Sequence, residues 1–188
     1  RRLGQIVDDF ITGKVIELGV ADILKKINSK KSYMIDLTIH DKPAYDDPDI
    51  TDVKENNLLR KPKVFVEIKN DAIENRWTGL YVEQFDSMKQ HAMVKNDLDK
   101  MFIVYASIKG KDDFEESTSD LFGIYLKKHL SKESKSFEKF IETTDLYVEI
   151  DHVITGKELV DNGAFFLKKN NFFAFYFSYL GFFQDFFS

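Results

Sequence analysis

At 188 residues, 43% of them apolar and 31% charged, the chain fits one globular domain able to bury about two-thirds of the surface its unfolded form exposes. It contains no cysteine, which excludes a disulfide framework and any thiolate metal site. A net charge of −5 argues, taken alone, against a nucleic-acid partner, but the charge is uneven. Five aspartates fall between Asp41 and Asp52, while basic pairs stand at Lys25-Lys26, Lys30-Lys31, Arg60-Lys61, Lys127-Lys128 and Lys168-Lys169. A concentrated acidic spot is what a divalent cation needs, and a bound cation offsets part of the total. Arg1 and Arg2 are followed by Gln5, Asp8 and Asp9 rather than by an apolar signal-peptide core. A cytoplasmic location is expected, in a chain without an initiator methionine that reads as starting inside a longer or processed one.

In chain order, Ile16, Val20, Ile23, Leu24 and Ile27 recur at helical spacing, so a helix with one apolar face is expected over Gly13 to Ile27. Glu17 sits at the margin of that face. Asn28, Ser29 and the lysines after them end the helix, and Tyr33 to Ile39 reads as a strand. Pro43 and Pro48 mark residues 40–48 as a loop. Asp49 to Lys54 follows as a short strand, and Lys63 to Asn70 is the clearest strand in the chain. In it Val64, Val66 and Ile68 point one way and Phe65, Glu67 and Lys69 the other. A second helix is expected over Gly79 to Val94, with Tyr81, Phe85, Met88 and Ala92 on its buried stripe. Met101 to Ile108 is an apolar strand, Leu121 to Leu130 a helix, Leu146 to Ile150 a strand, and Lys157 to Asn162 a short helical turn. Ten of the 18 phenylalanines lie between Phe165 and Phe187. The alternation of Phe173, Phe175 and Phe177 suits a late strand, and most of these rings are expected to be buried within the fold or against a second copy. Helix, three strands, helix, strand is the order of an α/β fold: a central mixed sheet flanked by helices.

The chemistry concentrates in Pro48-Asp49 and, across a turn, Glu67-Ile68-Lys69. Adjacent antiparallel strands in the right register bring Asp49 beside Glu67. Two hard carboxylates held together on a sheet edge suit Mg²⁺, which prefers oxygen ligands and keeps several waters. The Ile68 carbonyl is available as a further ligand. Lys69 projects with Glu67, where an ammonium can orient or help deprotonate an attacking water and can stabilise phosphate charge. Asp36, Asp47 and Asp52 are the alternative partners of Glu67 under a different register. The four histidines (His40, His91, His129 and His152) show no metal-binding spacing, with His40 alone kept as a remote supporting group. No EF-hand loop, Gly-rich phosphate loop or dinucleotide fingerprint is present.

This pattern resembles the PD-(D/E)xK nuclease superfamily, in which a Pro-Asp precedes a strand-borne Glu-x-Lys. The element order over roughly Gly13 to Ile108 is similar to that family's common core, and Gly13-Lys14-Val15-Ile16-Glu17 resembles the opening helix of several branches. The resemblance implies a restriction-endonuclease-like core, with residues 109–188 as a family-specific extension carrying DNA recognition or dimer contacts. By it Asp49, Glu67 and Lys69 are catalytic, Glu17 is an additional acid, and Asp49, Glu67 and the Ile68 carbonyl hold Mg²⁺, with Mn²⁺ as a substitute. Gln84 resembles the glutamine that exonuclease-like branches carry after the lysine, but Met88 stands where their tyrosine is usual. The expected activity is hydrolysis of DNA phosphodiester bonds, most like a type II restriction endonuclease, by a homodimer acting on double-stranded DNA away from membranes. Specific contacts are expected after residue 108 and in loop 71–78, with Asn75, Arg76 and Trp77. Alternatives are a structure-specific junction resolvase or repair nuclease, a viral RNA-cleaving endonuclease domain, and a catalytically silent DNA-binding module of the same fold.

Overall fold

The structure is a computed structural model that describes residues 3–37, 47–70, 77–110, 123, 146–161, 165–167 and 172–176. Helix α1 (Leu3–Ile27) begins a good two turns before the expected Gly13. The signal was present: Ile6, Val7, Phe10 and Ile11 continue the same helical spacing upstream, although Ile6 and Phe10 remain exposed. Its buried face is Val15, Ile16, Val20, Ala21 and Leu24. Lys25 and Lys26 in the last turn suit the negative end of the helix dipole, and Asn28 closes the helix by donating its backbone N–H to the Leu24 carbonyl at 3.0 Å.

The strands form three small sheets. The first is an antiparallel meander of β1 (Lys31–Ile35), β2 (Ile50–Glu55) and β3 (Leu58–Arg60). Asn56 and Asn57 both carry positive φ, 51° and 62°, the two-residue turn geometry whose twist matches that of the flanking strands. The second sheet is central. In it β6 (Met101–Gly110) lies between β4 (Phe65–Asn70), to which it runs parallel, and β7 (Leu146–Thr155), to which it runs antiparallel. The third is antiparallel and pairs β5 (Trp77–Tyr81) with β9 (Phe172–Tyr176), which also pairs β8 (Phe165–Leu167). Helix α2 (Val82–Gln90) and the short helix α3 (Gly156–Asp161) complete the described elements.

The central sheet separates two apolar clusters. On one face α1 packs Val15, Ile16, Val20 and Leu24 against Val66, Ile68, Phe102 and Val104, together with Ile50. On the other, Phe65, Met101, Ile103 and Tyr105 meet Leu80, Phe85, Met88, Val94 and Leu159. Residues 101–108 are buried without a break, the continuous apolar run of a strand covered on both faces. One contact sets the seat of α1. A Cβ built on Gly19 would lie 2.3 Å from Val148 Cγ2, so only glycine lets the helix backbone come this close to β7.

The result is a mixed α/β architecture, with several boundaries moved. The expected helix over Gly79 to Val94 is a strand to Tyr81 and a helix only from Val82. Consequently Tyr81 is 57% exposed and Ala92 is exposed, while Gln84 joins Phe85 and Met88 on the buried side. Tyr81 takes extended backbone angles at the helix start (φ −67°, ψ 140°), and a strand pairing to β9 outweighs the weak helical periodicity there. Strand β7 runs on to Thr155 because β6 supplies partners that far, through Phe102↔Thr155. The helix expected over Leu121 to Leu130 lies outside the described residues except for Gly123, as do His40, His129, Asn75 and Arg76. The side chains of the C-terminal phenylalanines lie outside them too. No helix among the described residues is long and apolar enough to cross a membrane.

Candidate active site

Strand β4 is an edge of the central sheet. It pairs with β6 along its whole length, from Phe65↔Met101 to Asn70↔Ala106. Its other edge is met by the residue just before β2. Asp49 donates its backbone N–H to the Val66 carbonyl at 3.0 Å, and its carboxylate Oδ2 accepts the Ile68 N–H at 2.6 Å. The expected adjacency of the two motif strands is therefore made without strand pairing. The β2 strand belongs to the meander, and these two bonds, one backbone and one side chain, fix the register instead. The N–H and C=O of one strand residue point to the same edge. The Ile68 carbonyl consequently lies on the Asp49 side, while its side chain is buried under α1.

Glu67 leaves the opposite face of β4 and is only 8% exposed. Its Oε1 accepts from Lys69 Nζ at 2.5 Å and from the Gln84 amide on α2 at 2.6 Å. Helix α1 contributes Glu17, also 8% exposed, whose Oε2 accepts from Lys14 Nζ at 2.7 Å. The same ammonium donates to the Asp36 carbonyl at 2.7 Å, tying the helix to the segment after β1. Among the described residues, each of the three carboxylates thus has one oxygen held by donors and the other accepting no hydrogen bond.

The electrostatics follow from crowding. Burial pushes the Asp49 carboxyl well above its usual range, and the charges of Glu67 and Glu17 push in the same direction, against the Ile68 N–H and Lys69. Glu17 is raised by burial first, opposed by its bond to Lys14 and aided by the charges of Glu67 and Asp36. Three acids, from α1, β4 and the residue before β2, therefore feel one another at one sheet edge, with Lys14 on Glu17 and Lys69 on Glu67. No three of the described carboxylates or imidazoles stand as a preformed metal cage. The donor set is nonetheless all oxygen with unpartnered lone pairs, which fits a hard divalent ion.

Of the alternative acids, Asp52 pairs with Lys61 at 3.2 Å and Asp47 is exposed. The Asp36 N–H approaches the Asp49 carbonyl at 3.4 Å, and its charge acts on Glu17. His91 packs edge-on to Phe65, ring centroids 5.0 Å apart, and His152 lies over Tyr105 at 4.6 Å. Lys14 has no place in the Pro-Asp…Glu-x-Lys pattern. Its position three residues before Glu17, one helical turn away, was the available signal. Gln84 was legible only through the family resemblance, because a glutamine on a helix carries no chemistry of its own.

Comparison of the chain with family models, with characterised proteins and with solved structures finds no match. The likeness to the PD-(D/E)xK superfamily accordingly rests on motif and element order.

Proposed function

We propose that the chain is a divalent-metal-dependent nuclease with a restriction-endonuclease-like core, hydrolysing DNA phosphodiester bonds most like a type II restriction enzyme. The observation that carries this reading is the bond from Ile68 N–H to Asp49. It brings the acid of one motif half against the residue between Glu67 and Lys69. Carboxylates withdrawn from water and within reach of one another's charge are costly unless protonated or bound to a cation, and Asp49, Glu67 and the Ile68 carbonyl are the groups that would hold one. Mg²⁺, or Mn²⁺ in its place, would supply Lewis acidity and charge neutralisation at the scissile phosphate.

The chain's own groups divide the remaining work. Lys69, paired with the Glu67 carboxylate, would orient an attacking water and stabilise phosphate charge. Gln84 holds Glu67 Oε1, so Oε2 is the oxygen that would be available to an ion. Glu17, steadied by Lys14, adds a third carboxylate able to accept a proton. A homodimer would match the need to cut two strands with one site per chain.

A second reading, a repair or structure-specific nuclease, draws on the Gln84 amide bond to Glu67, since exonuclease-like branches carry a glutamine after the lysine. Incubation with plasmid, linear, branched and single-stranded DNA in Mg²⁺ separates the two. Discrete plasmid fragments support the first reading, and selective cutting of branched or terminal substrates supports the second. Absence of cleavage on every substrate, with divalent ion bound, would leave the silent DNA-binding module.

A further inference from the structure

The basic pairs Lys30-Lys31 and Arg60-Lys61 have no role in the acidic edge, yet the fold gathers part of them at one place. A cavity of about 160 Å³ opens between the β1–β2–β3 meander and the start of β4. Among the described residues, Lys31, Arg60, Lys61 and Lys63 surround it, against a single carboxylate, Glu55. That carboxylate stands 3.8 Å from Arg60. Lys61 is shared with Asp52 at 3.2 Å, and Lys63 makes no ion pair among the described residues. In a chain of net charge −5 this is a local excess of positive charge. The floor is different in character: Tyr33 and Val53, cross-strand neighbours on β1 and β2, with Pro62 and Val64 beside them. Ile50 and Val66 form one wall, and they adjoin Asp49 and Glu67 in sequence.

We infer that this cavity binds one unpaired nucleotide of a nucleic-acid strand. A nucleotide joins an anionic phosphate to a flat apolar base, and a cationic rim over a floor holding a tyrosine matches both halves. The volume is below the roughly 300–1,000 Å³ of drug-sized ligand pockets, so it admits the base of one nucleotide, whose sugar and phosphate stay at the cationic rim, and it excludes a duplex. An acidic peptide would use the rim but not the floor. The inference deepens the second, structure-specific nuclease reading, and rests on it for the idea that the strand continues to the acidic edge. The substrate class it names is DNA with an unpaired segment beside the cut.

The test is titration of oligothymidylate carrying one fluorescent base analogue, without divalent metal, across a salt series. The comparison is with Arg60→Ala/Lys63→Ala, both exposed positions outside the acidic edge, with thermal melting as the folding control. The wild-type chain should quench the analogue on binding. The variant should bind several-fold more weakly, with a salt slope reduced by about 0.7 for each lost phosphate contact. An unchanged slope in the variant overturns the inference, as does equal competition by polyglutamate or failure of the wild-type chain to bind. Cleavage assays on the same proteins keep the two claims apart. Binding that depends on Arg60 and Lys63 without cleavage of any DNA sustains this site and removes the nuclease. Cleavage with binding indifferent to both residues does the reverse.

Discussion

The two edges of β4 show one strand put to two uses. Toward β6 every residue from Phe65 to Asn70 has a partner, and β6 itself is buried along residues 101–108. Toward the meander, among the described residues, a single one, Asp49, takes one backbone bond and one side-chain bond, and carboxylates collect beside it. The first edge satisfies polar groups and buries apolar ones. The second leaves carboxylate oxygens without donors and pushes Asp49 away from its charged form. Local rules of good folding are kept on one edge and broken on the other, and breaches of that kind are where function is to be sought.

That contrast can be broken or sharpened by mutation. The largest effects should come from the open edge and should appear in activity. Lys69→Ala and Asp49→Asn should each lower cleavage by roughly 10²–10³. Only Asp49→Asn should also weaken Mg²⁺ binding in calorimetry, since Lys69 is not a ligand. Full cleavage by either variant would remove its assigned role. Next is the seat of α1. Gly19→Ala forces a methyl group into Val148 and should cost about 1–3 kcal/mol of stability as overpacking, read by denaturant unfolding. A neutral result would mean that the helix shifts freely. On the paired edge, Ile103→Val should cost about 0.5–1.5 kcal/mol and leave the rate per folded molecule unchanged. A loss of activity larger than the loss of folded protein would show the edges to be coupled.

The smallest effects are those of pH, and the two regions should differ in sign. Asp49 and Glu17 have raised pKa values in the fold. Their folded form binds more protons than the unfolded chain does, so metal-free stability falls as pH rises from about 4 through those values. Asn at position 49 keeps an acceptor for the Ile68 N–H, so Asp49→Asn should melt higher than the wild-type chain at neutral pH. His152 behaves oppositely. Burial lowers it to about 4, against the charge of Asp151, so its contribution is present above about 6.5 and is lost as pH falls toward 4. His152→Gln should flatten the acid side of a melting-temperature profile. Identical profiles for both variants and the wild-type chain would show that neither group titrates with folding.

What the sequence made legible was what local pattern determines. Alternation in Val64 to Lys69 assigned both faces of β4 correctly, because period two follows from strand geometry. The apolar run from Met101 fixed β6. What it concealed depended on partners distant in the chain. Tyr81 belongs to a strand because β9 pairs with it, almost a hundred residues later, and no periodicity around Tyr81 reports that. Pairing of β2 with the meander rather than with β4 was hidden for the same reason. The candidate site was half legible. Asp49, Glu67 and Lys69 stood out as charged residues in an apolar setting, whereas Lys14 and Gln84 acquire meaning only from the carboxylates they touch.

The pairing of Gly110 with Leu146 means that residues 111–145 leave and re-enter the sheet at adjacent points. The two ends of that excursion are held by β6 and β7, while the acidic edge lies beyond β4 on the far side of β6. Because closing entropy rises only slowly with the length of chain enclosed, two strand ends paired in this way tolerate an insertion or exchange between them at little cost to the frame. What joins Gly110 to Leu146 can therefore be rewritten without disturbing β4 or the carboxylates gathered beside it.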